Sequence, residues 1–248
     1  MPPKGPPKTR LDQILVDRGH AESPAKAQAL VMAGVVFAGE TRLTSAGAKI
    51  PEDTAITVKG QAHPWVSRGG LKLEHGLAHF GLSPEGRICI DVGASTGGFT
   101  DVLLTHHAAK VYAVDVGYGQ LAHKLRIDPK VVVLERTNAR ALDAALVPDA
   151  ISAVVCDASF TGLRTVLPAA LALAAPGAWA IALIKPQFEV GKERVGKNGV
   201  VREPELHAEV CDTITAWMAG QGWTVLGVTP SPITGPAGNV EFLIGAVK

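Results

Sequence analysis

A doubly wound α/β sheet, preceded by a small α+β domain, is the fold class this sequence predicts, and three observations predict it. From Leu71 onward, short apolar runs alternate with helix-length segments. Two of those runs, Ile151-Ser-Ala-Val-Val-Cys156 and Ala178-Trp-Ala-Ile-Ala-Leu-Ile184, are apolar almost throughout, as strands covered on both faces must be. Residues 10–60 follow a different regime, with two short helical patterns and then brief strands joined by turns.

The small domain is expected over residues 10–60. Leu11, Ile14 and Leu15 mark a first helix; Ala27, Leu30 and Val31 mark a second. Ser23 suits the cap of the second helix, Pro24 its first turn, and Gly34 its end. Short strands follow at 35–37, 39–40 and 56–58. Residues 61–70 form a linker in which Trp65 is expected to pin one domain on the other. Residues 71–248 form the large domain, with a helix over 71–80. Seven strands are predicted near 87–92, 111–115, 131–134, 151–156, 178–184, 223–229 and 240–246. Helices fall near 97–106, 118–125, 161–174 and 203–220. The last two strands, close in sequence and separated by a Pro/Gly-rich loop, are expected to pair antiparallel at one edge.

Composition narrows the function classes. Of 248 residues, 47% are apolar and 19% charged, enough core and too little charge for a disordered chain. The net charge of +1 means that a nucleic-acid surface has to be a local patch. Cys89, Cys156 and Cys211 show no C-x-x-C spacing and read as buried hydrophobes in a reducing cytosol, so a cytoplasmic protein is expected. No apolar run reaches a membrane span, since Pro176-Gly177 breaks the Ala/Leu-rich stretch 166–184. Residues 1–9 read as a flexible basic leader with no apolar segment. The eight histidines lack metal-ligand spacing, and no metal is expected.

The segment Asp91-Val-Gly93-Ala-Ser95-Thr96-Gly97-Gly98-Phe99 ends a predicted strand and opens a helix. Glycines there let backbone approach a ligand where a Cβ would collide. Asp115, with Val116 beside it at the next strand end, is placed to accept hydrogen bonds from ribose hydroxyls. The spacing is G-x-x-x-G-G rather than G-x-G-x-x-G, and Asp91 precedes it. A carboxylate there repels a pyrophosphate and suits the cationic methionine end of S-adenosylmethionine (SAM). Asn138, after the third strand, is a candidate for an adenine edge or for a turn cap.

Four charged residues lie at or near strand ends around that turn: Lys72, Asp157, Lys185 and Glu241. A ribose hydroxyl is a poor nucleophile until its proton is removed or shared, and a desolvated lysine can serve as the base. Lys185 is expected to take the proton with help from Lys72, while Asp157 and Glu241 orient the lysines and balance their charge. Asp157 is also counted among the cofactor contacts. A base-amine methyltransferase would want Asn/Asp-Pro-Pro-aromatic after strand four, where this chain has Asp157-Ala-Ser-Phe160.

These residues resemble a known family over nearly the whole chain. Arg10-Leu-Asp12, Leu15, Gly19, Ser23, Ala27, Gly34-Val and Gly39 resemble the small RNA-binding domain first seen in ribosomal protein S4. Val66-Ser-Arg-Gly-Gly-Leu-Lys72, the Asp91 turn, Asp115-Val-Gly-Tyr-Gly-Gln-Leu121, Asp157-Ala-Ser-Phe, Lys185-Pro-Gln-Phe-Glu189 and Gly238-Asn-Val-Glu241 resemble the hemolysin A (TlyA) branch of the FtsJ-like methyltransferases. The resemblance implies a Rossmann-like sheet and SAM-dependent 2′-O-methylation of cytidine in ribosomal RNA, with a Lys-Asp-Lys-Glu tetrad on Lys72, Asp157, Lys185 and Glu241. The partner is then ribosomal RNA or a ribosomal subunit, with no membrane involved.

The chain departs from the S4 pattern at Pro24, where an arginine is usual, and at Phe37-Ala38. Candidate RNA contacts are Arg10, Arg18, Lys26, Arg42 and Lys49, with Arg68 in the linker. Lys192, Arg194, Lys197 and Arg202 in the polar loop 189–203 are further candidates. Two rival readings are a ribosome-assembly factor that keeps the fold without catalysis, and a secreted membrane-damaging protein. The second finds no support in the hydropathy.

Overall fold

A computed structural model describes residues 7–21, 23–59 and 63–248, so most of the expected leader and the start of the linker lie outside the described residues. The small domain opens with β1 (Lys8–Arg10), two residues inside the expected leader, and continues through α1 (Leu11–Asp17), α2 (Pro24–Met32), β2 (Val36–Ala38), β3 (Thr41–Arg42), β4 (Lys49–Pro51) and β5 (Ile56–Val58). Ser23 caps α2 by accepting from the Lys26 amide, with Pro24 in the first turn, and Gly34 turns the chain at φ +69. Leu11, Leu15, Ala27, Val31, Val36 and Val58 close its core. β1 pairs with β4, while β2 lies between β3 and β5.

The large domain runs α3 (Gly69–Phe80), β6 (Ile88–Val92), α4 (Gly98–Thr105), β7 (Lys110–Val114), α5 (His123–Arg126), β8 (Val131–Leu134), β9 (Ile151–Cys156), α6 (Leu163–Val166), α7 (Pro168–Ala172), β10 (Ala174–Ile184), α8 (Pro186–Glu189), α9 (Pro204–Gly220), β11 (Thr224–Pro230) and β12 (Phe242–Val247). The seven strands form one Rossmann-like sheet in the order β11-β12-β10-β9-β6-β7-β8. β10, β9, β6, β7 and β8 run parallel; β12 is antiparallel to both β10 and β11. Alternate residues feed two cores. Ile90, Val154 and Ala182 face the layer of α6, α7 and α9, whereas Cys89, Val155 and Ile181 face α3 and α4.

Strand order reverses between β6 and β9, which opens a crevice outside their carboxyl ends. Because β12 runs antiparallel, its first residues sit at that same edge. Two predicted helices differ from the expectation. Residues 118–122 are irregular, with Gly119 at φ +70, and only 123–126 are helical. The 161–174 segment splits at Leu167–Pro168, since a proline lacks the amide that would continue a helix.

Trp65 corrects another expectation. It packs with Leu73, Leu77 and Phe99 in the large domain's own core and lies where a side chain at Gly70 would have to go. The neighbouring Val66 makes the interdomain contact instead, since a Cβ on Gly19 would fall 2.6 Å from Val66 Cγ1. The Val66 amide donates to Asp101 Oδ2 at 2.9 Å, and Lys124 pairs with the same carboxylate at 2.8 Å.

Candidate active site

The crevice brings the four charged residues together. Lys185 follows β10 directly, Asp157 follows β9, Lys72 lies in the first turn of α3, and Glu241 stands one residue before β12 rather than inside a strand. Lys185 Nζ is 2.7 Å from Asp157 Oδ1, Lys72 Nζ is 3.6 Å from Asp157 Oδ2, and Lys72 donates to Glu241 Oε2 at 2.6 Å. The result is a line of alternating sign, Lys185–Asp157–Lys72–Glu241. Lys72, Lys185 and Glu241 are buried at 7%, 6% and 2% exposure, so these are not surface ion pairs. Charges withdrawn from water this far are tolerated only when paired.

Lys185 Nζ also donates to the Asp157 carbonyl at 3.2 Å and to Ser159 Oγ at 2.8 Å. Ser159 lies within the Asp157-Ala-Ser-Phe segment that carries the family resemblance, but it was not singled out as a site residue. Asn239 was missed as well: its side chain accepts from the Val201 amide and donates to the Gly199 carbonyl, tying the loop before Glu241 to the 196–201 segment.

The glycine turn is built chiefly to pack against protein. A Cβ on Gly93, at φ +81, would meet the Ala158 backbone at 2.8 Å, so this glycine lets the β6 and β9 ends touch. Gly97, at φ +96, abuts Leu125 and Leu121, and Gly98 abuts Ser67 and Gly70. Gly93 and Gly98 also line the larger cavity, whereas Gly97 lines neither cavity. Ser95, Thr96 and Phe99 line the larger cavity.

Asp91 lies behind the turn, with no exposed surface, and lines neither cavity. Its Oδ2 accepts from the Thr100 hydroxyl at 2.6 Å, and its Oδ1 is buried with no partner among the described residues. Burial pushes its carboxyl up to about 7; the Thr100 hydrogen bond opposes this, and the Asp157 and Asp115 charges add to it. Asp115 accepts from the Ser95 amide at 2.8 Å and the Gly117 amide at 2.7 Å. Asn138 Oδ1 caps the following turn by accepting from the Arg140 amide, and the residue still lines a cavity.

Two cavities meet here. The smaller, about 570 Å³, is walled by Asp115, the exposed Val116, Asn138 and the Asp157–Phe160 loop. The larger, about 1050 Å³, contains Lys72, Lys185 and Glu241, and Gln13, Asp17 and Gly19 of the small domain form part of its wall. Burial pushes the Cys156 thiol up to about 12, which leaves little thiolate for a covalent mechanism.

The basic candidates do not converge. Arg10 is paired with Asp12, and Arg18 donates to the Thr54 and Glu52 carbonyls. Arg42 lies over the Phe37 ring, Lys26 and Lys49 are exposed, and of the six only Arg68 lines the larger cavity. Among the described residues no helix is long and apolar enough to cross a membrane.

A model of the FtsJ-like methyltransferases matches residues 65–248. The chain belongs to the FtsJ-like methyltransferase family. It is 46% identical to the 16S/23S rRNA (cytidine-2′-O)-methyltransferase TlyA of Mycobacterium tuberculosis, over 96% of this chain and 89% of that protein. It is 40% identical to Hemolysin A of Brachyspira hyodysenteriae, over 94% of this chain and 98% of that one. Among solved structures, a hemolysin from Streptococcus thermophilus is 44% identical with a TM-score of 0.74, covering 98% of this chain and 89% of that one. The hemolysin and methyltransferase names thus fall on one family, and the methyltransferase sheet is the part this chain shares with the family model.

Proposed function

We propose that this methyltransferase moves a methyl group from SAM to the 2′-hydroxyl of a cytidine in ribosomal RNA. The observation that carries the reading is the buried line Lys185–Asp157–Lys72–Glu241 at the sheet's switch point. Two relatives named for cytidine 2′-O-methylation, at 46% and 35% identity, support the choice of substrate.

The residues present suit SAM. Asp115 has lone pairs to spare beyond its two backbone donors and is available to ribose hydroxyls. Val116 and Asn138 border the space for the base, and the smaller cavity lies within the usual size range for ligand pockets. Asp91 supports the turn from behind through Thr100 rather than from a cavity wall. When bound, SAM supplies a methyl group activated on a sulfonium.

The protein's task is then to hold and deprotonate the hydroxyl. Lys185 takes its proton, Asp157 fixes Lys185 and couples it to Lys72, and Glu241 balances the second cation. Holding the hydroxyl in line is worth up to about 7–11 kcal/mol of the barrier. Residues 10–60 serve as an S4-type RNA-binding domain, and the RNA enters between the two domains, past Arg68. The setting is the cytoplasm, and the partner is ribosomal RNA or a ribosomal subunit. Ribose methylation mapped on ribosomal RNA from cells with and without the protein tests this reading; identical maps would overturn it.

A further inference from the structure

Lys185 Nζ makes two hydrogen bonds before any substrate arrives, to the Asp157 carbonyl at 3.2 Å and to Ser159 Oγ at 2.8 Å. Asp157 Oδ1 stands 2.7 Å away as its ion-pair partner, without a hydrogen bond to it. An incoming hydroxyl can pass its proton to the amine through a partner that both accepts and donates. Asp157 Oδ1 also belongs to the line of charges, and a backbone carbonyl has no proton to give. Ser159 alone can reverse its role, accepting from an ammonium or donating to a neutral amine.

Its position adds a second, independent argument. Lys72, Lys185 and Glu241 line only the larger cavity. Ser159 lines both, at the boundary where a donor in one and a hydroxyl in the other must meet. We infer that Ser159 is a catalytic residue that relays the proton from the substrate hydroxyl to Lys185. The inference rests on the proposed 2′-O-methyl transfer.

The step balances as follows. Lys185, an ammonium in the resting line of charges, first gives one proton to water and enters the step as the neutral amine. The substrate O–H bond breaks, its proton goes to Ser159 Oγ, and the Ser159 proton passes to Lys185 Nζ. The freed oxygen pair forms the new bond to the methyl carbon, whose former bonding pair leaves with the donor's sulfur. Lys185 ends as an ammonium held by Asp157 and later returns its proton to water. The charged groups facing it are Asp157 directly, and Lys72 and Glu241 through Asp157.

The test compares the full-length wild type with Ser159→Ala and Ser159→Thr. Single-turnover methyl transfer to ribosomal RNA is measured in mixtures of light and heavy water, and SAM affinity by calorimetry. The relay gives a curved dependence on heavy-water fraction in the wild type, from two protons in flight. Ser159→Ala should bind SAM as the wild type does, slow transfer by roughly 100-fold and give a linear dependence. Ser159→Thr, which keeps a hydroxyl, should restore the curvature and most of the rate. A Ser159→Ala enzyme with the wild-type rate or the wild-type curvature overturns the relay, as does loss of curvature in Ser159→Thr. If Ser159→Ala loses SAM binding, the threonine variant alone decides. A wild type that transfers no methyl group to RNA would instead sink the proposed function.

Discussion

The two domains treat their charges in opposite ways. At the sheet edge, Lys72, Lys185, Asp157 and Glu241 are largely withdrawn from water and bound to one another in alternating order. In the small domain the cations sit at the surface: Lys49 is exposed, Arg10 reaches back to the buried Asp12, and Arg18 is spent on the carbonyls of the 52–54 turn. Buried charges have to offset a desolvation cost of several kcal/mol each, so their arrangement carries information about chemistry. Exposed pairs contribute about 0–1 kcal/mol and constrain little. The functional reading therefore draws its strength from the large domain, where the charges are buried and paired.

The sharpest way to break this contrast is Lys185→Ala. Methyl transfer should fall by at least about 1000-fold, within the span that proton-transfer groups supply, while SAM affinity stays near normal. Radiolabel transfer and calorimetry read the two quantities. A fully active variant would show that the buried line is structural only.

Next in size is the pH dependence set by Asp91. Its folded carboxyl, at about 7, lies above the ordinary value of 3.8, so the folded state holds a proton that the unfolded chain gives up. The associated stability is fully present below about pH 4 and is lost as pH rises through about 7, roughly 4 kcal/mol in all. Asp91→Asn keeps an acceptor for Thr100 and should flatten the denaturation midpoint over that window. An unchanged slope would mean the carboxyl is hydrated or paired.

Glu241→Ala sharpens the same contrast from the stability side. It strands the Lys72 ammonium, and the loss should be about 3 kcal/mol, since Asp157 still lies 3.6 Å from Lys72. Replacing both, as Lys72→Met with Glu241→Leu, should recover much of that stability without activity. Urea denaturation and methyl transfer measured on the same samples check both halves.

What the sequence revealed divides along similar lines. The 151–156 strand was legible to the residue because a central parallel strand is buried on both faces, and the partly buried edge strand 131–134 was legible from its short, bounded apolar run. Asp157 and Lys185 were legible because each directly follows an apolar strand, whereas Lys72 on a helix and Glu241 in a predicted strand were joined to them by the family resemblance. The pairing of β1 with β4 left no signal, since Lys-Thr-Arg and Lys-Ile-Pro show no alternation that a half-buried strand would impose. The protein contacts of Gly97 and Gly98 were hidden for a related reason. A glycine shows that something comes close, and only the folded chain reveals that Leu125 and Ser67 are what comes close. Ser159 and Val66 stood inside quoted segments, but their contacts with Lys185 and Gly19 were hidden because those partners lie far off in sequence.

The smallest expected effect tests the small domain against the linker. If RNA enters between the domains, Arg68, exposed and lining the larger cavity, is placed to meet a phosphate. Arg68→Ala should lower the slope of log affinity against log salt by about 0.7–0.9, one contact's share. Arg10→Ala should leave that slope unchanged, because the guanidinium is already held at 2.7 Å by Asp12. Arg18→Ala should act on the small domain's melting instead, since it removes the tie to Thr54 and Glu52 rather than a free cation. Salt titrations of the three variants with ribosomal RNA separate these outcomes. Equal slopes for Arg68→Ala and Arg10→Ala would place the phosphate path on the small domain's outer face, away from the crevice.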